Sequence, residues 1–238
     1  MHDKSFDFKA GTILLIDKPL NWTSFDVVNK LRYTIKRRLD VKKIKVGHAG
    51  TLDPLATGLL ILCTGKFTKK LTNFQGLPKT YTGTLLLGAS TPSYDAETEV
   101  DKTYPTEHIT PELIEKTRQQ FIGETEQFPP MFSAIKVDGI PLYKRARQGE
   151  TIEVKSRQVL ITDFKITRHE GNEIDFEVSC SKGTYIRSLA YDFGKAMGSG
   201  AYLTGLQRTK VGDFDIKDAW KLEDLLEFVE HSKQVVIE

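Results

Sequence analysis

Apolar residues follow two patterns along this chain, and the first of them predicts strands. The run "LLILCTG" at 59–65 is almost continuously apolar, which is typical of a strand buried on both faces. "GTILLIDKP" at 11–19 predicts an earlier strand that ends where a proline removes a backbone donor. "KTYTGTLLLGA" at 79–89 predicts a long strand, in which Gly83 marks a bulge or the close approach of another backbone.

The second pattern, apolar residues three and four positions apart, predicts helices. The longest covers 23–39, with Thr23 or Ser24 as its N-cap and one apolar face formed by Phe25, Val28, Leu31 and Ile35. Thr110 followed by Pro111 predicts the start of a helix over 110–121. Further helices are predicted at 66–74, 185–198 and 222–232.

The remaining segments define the fold class. Alternating residues on both sides of Gly171-Asn172 predict a β-hairpin, and 201–214 predicts another strand. Strands and helices interleave without a regular β-α-β period, so we expect an α+β fold with a mixed, largely antiparallel central sheet and flanking helices. The polar connector 90–110 has the length of a functional or a mobile loop.

Charge is distributed more unevenly than the net charge of +2 implies. Six lysines and arginines and one acid lie between Lys36 and Lys45, and further basic runs cover 143–149 and 208–210. A single basic run is usually a solvated face. Three runs, one of them directly before a glycine-rich loop, favour a nucleic-acid-binding face.

The composition, with 39% hydrophobic and 28% charged residues, is that of a globular protein with a sizeable core. No apolar run is long enough for a membrane span, and the polar N-terminus is not a signal peptide. Cys63 and Cys180 lie in strand-like runs, which favours two reduced, buried thiols over a disulfide and indicates a cytoplasmic protein. No cysteine or histidine spacing in the sequence indicates a metal site.

Sequence motifs for nucleotide, zinc or serine-hydrolase chemistry are missing, which leaves carboxylate chemistry as the candidate. Asp53 lies before Pro54 in "VGHAGTLDPLATGLLIL" at 46–62, where glycines let the backbone turn sharply. By residue type alone, Asp53 is a turn-making or capping residue, a general base or a nucleophile. His48 is the only histidine of the sequence in a comparable context.

Two further positions each leave a structural and a functional interpretation open. Arg187, where a predicted strand passes into a helix, either pairs with Asp192 or a surface acid, or holds a catalytic carboxylate ionised and oriented. Tyr81 is either a core residue with its hydroxyl at the rim or a platform on which a flat heterocycle stacks.

Six segments in collinear order resemble the tRNA pseudouridine synthases of the TruB family, which make pseudouridine at position 55 in the T loop. The most distinctive segment is "GHAGTLDPLATGLL" at 47–60. The others are "DKPLNWTS" at 17–24, "KTYTGTLLLG" at 79–88, "PPMFSAIKVDGIPLYKRAR" at 129–147, "SKGTYIRSLAYDFG" at 181–194 and "AYLTGLQRTKVGDF" at 201–214. The resemblance therefore covers nearly the whole chain.

The resemblance implies roles for individual residues. It makes Asp53 the catalytic aspartate, Arg187 the arginine that pairs with it, and Tyr81 the tyrosine that stacks on the target uracil. The implied substrate-binding residues are Tyr185 in the pocket, His48 against displaced T-loop nucleotides, Leu206 lining the pocket, Lys18 with Pro19 supporting it, and Lys144, Arg145 and Arg147 facing phosphate.

The implied activity is the isomerisation of uridine to pseudouridine in tRNA, on a base flipped out of the loop, without cofactor or metal. We expect the T arm of tRNA as the partner, no membrane, no obligate protein partner and a monomer. We also expect one catalytic domain over 1–238, with an RNA-contacting insertion at about 127–150.

Other functions stay open at this stage. The basic runs also suit an RNA-binding or tRNA-folding protein with little catalysis. A carboxylate hydrolase would need a second acid placed by a motif, and a guide-RNA-dependent synthase would be expected to carry long terminal extensions. Two departures from the family pattern concern RNA recognition: Phe132 stands where tyrosine is usual, and we expect no full C-terminal PUA domain after the last motif.

Overall fold

The computed structural model describes residues 6–150 and 152–236. Two compact units divide the chain: the residues up to Lys79 together with those from Gln207 onward form the first, and Thr80–Leu206 form the second. Within the described ranges, every helix is too short or too polar to cross a bilayer.

Helices form close to the positions that the apolar spacing predicts. The α-helices of the described residues are α1 (Ser24–Leu39), α2 (Leu71–Gln75), α3 (Pro111–Gln119), α4 (Leu142–Ala146), α5 (Ile186–Ala196) and α6 (Leu222–His231). A 3-10 helix, Gly65–Lys70, precedes α2, and another covers Ile216–Asp218. The predicted 66–74 helix is therefore two short helices in succession.

The start of α1 is fixed by a capping box. The Thr23 hydroxyl accepts from the Asp26 amide at 3.0 Å, and the Asp26 carboxylate accepts from the Thr23 amide at 2.9 Å. One residue of the predicted apolar face is wrong: Phe25 is 60% exposed, and Val27 is buried beside Val28 instead. The helical period is as predicted, but the buried face of the helix includes Val27 instead of Phe25.

The first unit contains a sheet with helices on both faces. Its strands are β1 (Ile13–Lys18), β2 (Val46–Ala49), β3 (Ala56–Thr64), β13 (Phe214–Asp215), β14 (Trp220–Lys221) and the second half of β12 (Ala201–Val211). Their order is β14-β1-β3-β12, with β2 also paired to β3 and β13 to β12. β1 runs antiparallel to β3 and parallel to β14, so this sheet is mixed.

The two faces of β3 explain its continuous apolar sequence. Leu60 and Leu62 belong to a core with residues of α1 and α6, whereas Leu59 and Ile61 belong to a second core with residues of α2 and β12. All four side chains are fully buried. β3 is thus buried on both faces, as predicted, and Cys63 within it is a buried free thiol.

The second unit is built on long antiparallel strands. They are β4 (Lys79–Leu87), β5 (Ala89–Ser90), β6 (Lys102–Thr103), β7 (Gly123–Gln127), β8 (Lys136–Val137), β9 (Ile140–Pro141), β10 (Arg157–Glu170), β11 (Glu173–Cys180) and the first half of β12. The order along the main sheet is β12-β4-β11-β10-β7. β10 and β11 form the predicted hairpin, in which Gly171 adopts a φ of 57° at the turn.

Aromatic rings fill the core of the second unit. Phe164 of β10 contacts Phe176 of β11 and Phe193 of α5 edge to face, at centroid distances of 5.9 and 5.5 Å. Gly83 lies where any side chain would collide with Phe176 and with the Gly205 carbonyl, so the predicted close approach is confirmed. The predicted α+β class, with a mixed and largely antiparallel sheet, is likewise confirmed.

Several short strands had no signal in the sequence. β2 was assigned to the glycine-rich loop, and the polar strand β7, at the edge of its sheet, lacks hydrophobic alternation. The connector 90–110 is ordered by side-chain bonds: the Thr91 hydroxyl donates to the Asp95 carbonyl at 2.7 Å, and the Ser93 and Thr98 hydroxyls are 2.8 Å apart. It is not an extended free loop.

Gly58 provides a test of how the first unit closes around β3. Its φ is +103°, and a Cβ there would lie 2.4 Å from the carbonyl oxygen of Arg208 on β12. Gly58→Ala should lower the free energy of unfolding by about 3 kcal/mol, because positive-φ strain adds to a backbone clash. Chemical denaturation measures this loss.

Gly76→Ala is the matched control. Gly76 has a φ of −71°, and an added Cβ would meet its nearest neighbour at an ordinary 3.5 Å. The control should change the unfolding free energy by less than about 1 kcal/mol. Equal stability of the two variants would contradict the close packing of β3 against β12.

Candidate active site

Asp53 lies in the connection of a β-hairpin. β2 and β3 pair antiparallel with His48 opposite Leu62 and Ala49 opposite Ile61, and residues 50–55 join them. The Ala56 amide donates to the Asp53 carbonyl at 3.1 Å, which closes the turn. Asp53 is half-buried, and the strands on either side are anchored in the cores of the first unit.

A buried guanidinium binds the first residue of this connection and the strand that follows it. Arg208 of β12 is 1% exposed; its Nε donates to the Leu59 carbonyl at 2.8 Å and its Nη2 to the Gly50 carbonyl at 3.1 Å. These carbonyls lie on either side of Asp53 in the sequence. Assigning Arg208 to a phosphate-facing basic run was therefore wrong, because its charge is turned into the protein.

Two more side chains hold the middle of the connection. The Ser24 hydroxyl, at the start of α1, accepts from the Leu52 amide at 2.8 Å and lies 3.2 Å from the Leu52 carbonyl. The Lys18 ammonium donates to the carbonyls of Trp22 at 2.6 Å and Pro54 at 3.4 Å, and to that of Pro19. The backbone immediately before and after Asp53 is thus bound to β1 and α1.

Lys18 is fully buried, and this affects its protonation. Burial lowers the pKa of Lys18 to about 8, while the carboxylates of Asp53 and Asp17 oppose the shift. At neutral pH the ammonium is charged and adds a positive potential close to Asp53. The position of Lys18 suits the supporting role that the resemblance implies, and that role stays a prediction.

His48 lies on β2, half-buried, at the N-terminal side of the Asp53 connection. Burial lowers the pKa of His48, an effect that Arg208 reinforces and a bond to the Gly50 backbone opposes. Its imidazole is therefore neutral at pH 7. Imidazole is one of the rings on which unstacked RNA bases stack.

The second unit holds the other residues to which the resemblance gives roles. Tyr81 is on β4 and 8% exposed, and Leu206 is half-buried on β12. Tyr185 is the N-cap of α5, and Arg187 lies in the first turn of that helix. The structure thus places His48, Asp53 and Lys18 in the first unit, and Tyr81, Tyr185, Arg187 and Leu206 in the second.

Arg187 is buried and held by the connector after β5. Its Nη1 donates to the Ser93 carbonyl at 3.2 Å, and its Nε lies 3.6 Å from an Asp95 carboxylate oxygen. The charged atoms of both side chains are almost fully shielded from solvent. Asp192, one acid proposed as a structural partner, lies on the same helix, where burial raises the pKa of its carboxyl to about 6.

Tyr185 is fixed by a side chain that sequence reasoning missed. Gln127, at the end of β7, accepts from the Tyr185 amide at 2.7 Å and donates to the Tyr185 carbonyl at 3.0 Å. The Arg157 guanidinium lies 5.0 Å from the centre of the Tyr185 ring. Nothing in the sequence around Gln127 signals this contact, because its partner is 58 positions away.

The segment 127–150, expected to be an insertion, contains the hairpin β8–β9 followed by α4. Arg145 pairs with Asp138 and Glu150 at 3.6 and 3.3 Å, and Arg147 pairs with Glu97 at 2.8 Å. Lys144 is exposed. Of the three residues expected to face phosphate, two are therefore engaged with acids of their own chain in this structure.

Comparison with protein families matches residues 36–236. Residues 36–186 match the model of the TruB family pseudouridylate synthase N-terminal domain, and residues 187–236 match that of the tRNA pseudouridylate synthase B C-terminal domain.

Individual relatives agree with the family models. A tRNA pseudouridine synthase B of Flavobacterium johnsoniae is 62% identical over 214 residues, covering 90% of this chain and 93% of that protein. One from Phocaeicola vulgatus is 56% identical, covering 95% of this chain and 97% of that protein.

Among solved structures, this chain is similar to one in a crystal structure of a Cbf5-Nop10-Gar1 complex. The TM-score is 0.70 with 27% sequence identity, and the match covers 93% of this chain. The match covers 55% of the other chain, so this chain spans about half of its length. Family models over most of its length and relatives at this level of identity show that the chain belongs to the TruB family of pseudouridine synthases.

Proposed function

We propose that this protein converts uridine 55 in the T loop of tRNA to pseudouridine, with Asp53 as the catalytic carboxylate. The observation that carries the proposal is the fixation of the Asp53 connection. Arg208, Ser24 and Lys18 bind backbone groups of Gly50, Leu52, Pro54 and Leu59. A fixed backbone on both sides of Asp53 limits the movement of its carboxylate, and this supports the proposal because catalysis requires a preorganised group.

The reaction conserves atoms and needs no oxidant. The bond between N1 of uracil and C1′ of ribose breaks, the base rotates, and a bond forms between C5 and C1′; C5 loses a proton and N1 gains one. Asp53 acts either by attacking C1′, like the nucleophile of a retaining glycosidase, or on the C2′ proton.

Residues of the second unit are proposed to hold the flipped base. Extraction of a base from a folded loop costs roughly a few kcal/mol. Stacking on Tyr81, with contacts from Tyr185 and Leu206, is proposed to offset that cost. Arg187 is proposed to keep the catalytic carboxylate ionised, because a guanidinium offers two parallel donors to a carboxylate.

Recognition outside the base is proposed to rest on the T arm. His48 is proposed to lie against displaced loop nucleotides, and the insertion at about 127–150 to cover the arm, with Lys144, Arg145 and Arg147 towards phosphate. For Arg145 and Arg147 this requires exchange of their present acidic partners for phosphate. We further propose a monomer that acts in the cytoplasm without an obligate protein partner.

The first test is Asp53→Asn, assayed by mapping pseudouridine in an unmodified tRNA and in an isolated T-arm hairpin. The amide is isosteric but is neither a base nor a nucleophile, so we expect no pseudouridine. Affinity for tRNA should stay within about tenfold, or about 1.4 kcal/mol. Asp213→Asn, at an exposed position, should leave both properties unchanged.

Modification at the wild-type rate by Asp53→Asn would refute the role of Asp53. If the wild type binds tRNA but forms no pseudouridine in either RNA, the chain is instead an RNA-binding or tRNA-folding protein.

The second test is Arg187→Lys. The ammonium keeps the charge but loses the planar fork, so kcat on tRNA should fall by about 100-fold or more while tRNA affinity changes little. Arg168→Lys is the control, since Arg168 forms an exposed network with three acids of the β10–β11 hairpin. A kcat within threefold of the wild type would leave Arg187 a purely structural role.

The third test is Arg208→Met, which removes the bonds to Gly50 and Leu59 but keeps an apolar side chain of similar length. We expect kcat to fall by about 100-fold, because small displacements of a catalytic group cost that much. The free energy of unfolding should fall by no more than about 3 kcal/mol, because loss of the bonds is partly offset by removal of a buried charge.

Arg168→Met is the control for both measurements. Unchanged kcat in Arg208→Met, together with a fully folded protein, would show that the connection keeps its geometry without the guanidinium.

A further inference from the structure

We propose that a lysine surface on the first unit binds the phosphate backbone of the tRNA at a distance from the reacting base. The inference rests on the proposed function, because the RNA in question is the proposed substrate. The lysine surface is defined by Lys9, Lys42, Lys43, Lys45, Lys66 and Lys69.

Three separate segments of the chain contribute to this surface. Lys42, Lys43 and Lys45 follow α1, Lys9 precedes β1, and Lys66 and Lys69 lie on the 3-10 helix after β3. They line two adjoining depressions of about 410 and 480 Å³ that share residues 43–45. Only the first segment was recognisable in the sequence as a basic run.

Five lysines of the lysine surface form no ion pair within the part of the chain that the structure describes. Lys42, Lys43, Lys45, Lys66 and Lys69 are all exposed, and none forms an ion pair with an acid among residues 6–150 and 152–236. No carboxylate lines either depression in that part of the chain. Such a concentration of like charge attracts a polyanion.

The arginines of the same basic run are used differently. Arg37 forms an ion pair with Glu230 of α6, and Arg38 donates to the Ser232 carbonyl at 3.1 Å. They join α1 to the C-terminal end of the chain. The structure therefore divides the run from Lys36 to Lys45 into arginines that stabilise the fold and lysines that remain available.

The backbone beneath the lysine surface is tightly constrained. The Gly65 amide donates to the Lys45 carbonyl at 2.9 Å, and a Cβ on Gly65, whose φ is +52°, would lie 2.2 Å from the Lys9 carbonyl oxygen. The Thr12 amide donates to the Thr64 hydroxyl at 3.0 Å. All three segments thus cross at Gly65, and the lysines project from a fixed base.

Exposed lysines on shallow depressions suit a phosphate backbone better than a small anion, which requires enclosed donors. Lys45 directly precedes β2, and His48 and Asp53 follow along the same hairpin. The strand spans about 13 Å at roughly 3.3 Å per residue. The lysine surface thus lies at the opposite end of β2 from the Asp53 connection.

The test is the triple variant Lys43→Gln, Lys66→Gln, Lys69→Gln, with Lys116→Gln, Lys155→Gln, Lys233→Gln as the matched control. All six lysines are exposed, so both variants should fold, and both lose the same charge. Equilibrium binding of unmodified tRNA is measured from low to high salt, together with kcat and KM for pseudouridine formation.

We expect the slope of log K against log[salt] to decrease by about 2–3 in the test variant, close to 0.7–0.9 per lost phosphate contact. KM should rise about tenfold or more with kcat unchanged. The control should show less than a third of the change in slope. Loss on the T-arm hairpin as well as on tRNA places the contact in that arm, and loss on tRNA alone places it elsewhere in the molecule; either supports the proposal.

Equal changes of salt slope and KM in the two variants would overturn the proposal that the lysine surface binds RNA. An acidic protein would then be the partner to examine. This result is distinct from failure of the proposed function. If the proposed function fails, the wild type forms no pseudouridine on any RNA, whatever the salt dependence of its binding.

Discussion

The buried guanidinium of Arg208 is the interaction on which the candidate site depends. A charge taken out of water costs several kcal/mol unless its donors are satisfied, and this one is directed at backbone carbonyls. These carbonyls belong to Gly50 and Leu59. The bonds that solvate the arginine therefore also hold the Asp53 connection in place. The connection cannot move outward without leaving the guanidinium unsatisfied.

Lys18 adds a second buried cation to the same connection. Its ammonium is solvated by the carbonyls of Pro19, Trp22 and Pro54. Glycines at positions 50 and 58, both with positive φ, lie beside the Gly50 and Leu59 carbonyls that bind Arg208. The glycine-rich sequence, which looks like a simple turn, thereby supplies both carbonyls that bind Arg208 and one of the three that bind Lys18.

Features that depend on residues close together in the sequence were predicted, and contacts between residues far apart in the sequence were not. The capped start of α1, the buried strand β3 and the β10–β11 hairpin follow from local rules, because period, caps and turn residues act within a few positions. Phe25 was misassigned because spacing gives a period but not the angle of the buried stripe. β7 escaped notice because an edge strand of polar residues has no alternation to detect.

The contacts of the candidate site were beyond such rules. Arg208 looked like part of a surface run because charged residues are seldom buried, and its partners are 149 and 158 positions away. Asp95 and Ser93 were unremarkable members of a polar connector until Arg187 was seen against them. Only the family resemblance, not the residue pattern, separated Asp53 from an ordinary turn aspartate.

The two cysteines have a practical consequence. Both are buried thiols outside any disulfide, and burial raises the pKa of Cys63 to about 11, so almost none of it is thiolate at neutral pH. Maleimides and iodoacetamides react with thiolates that they can reach. A single cysteine placed at an exposed position should therefore take a fluorophore or spin label selectively, with both native cysteines left in place.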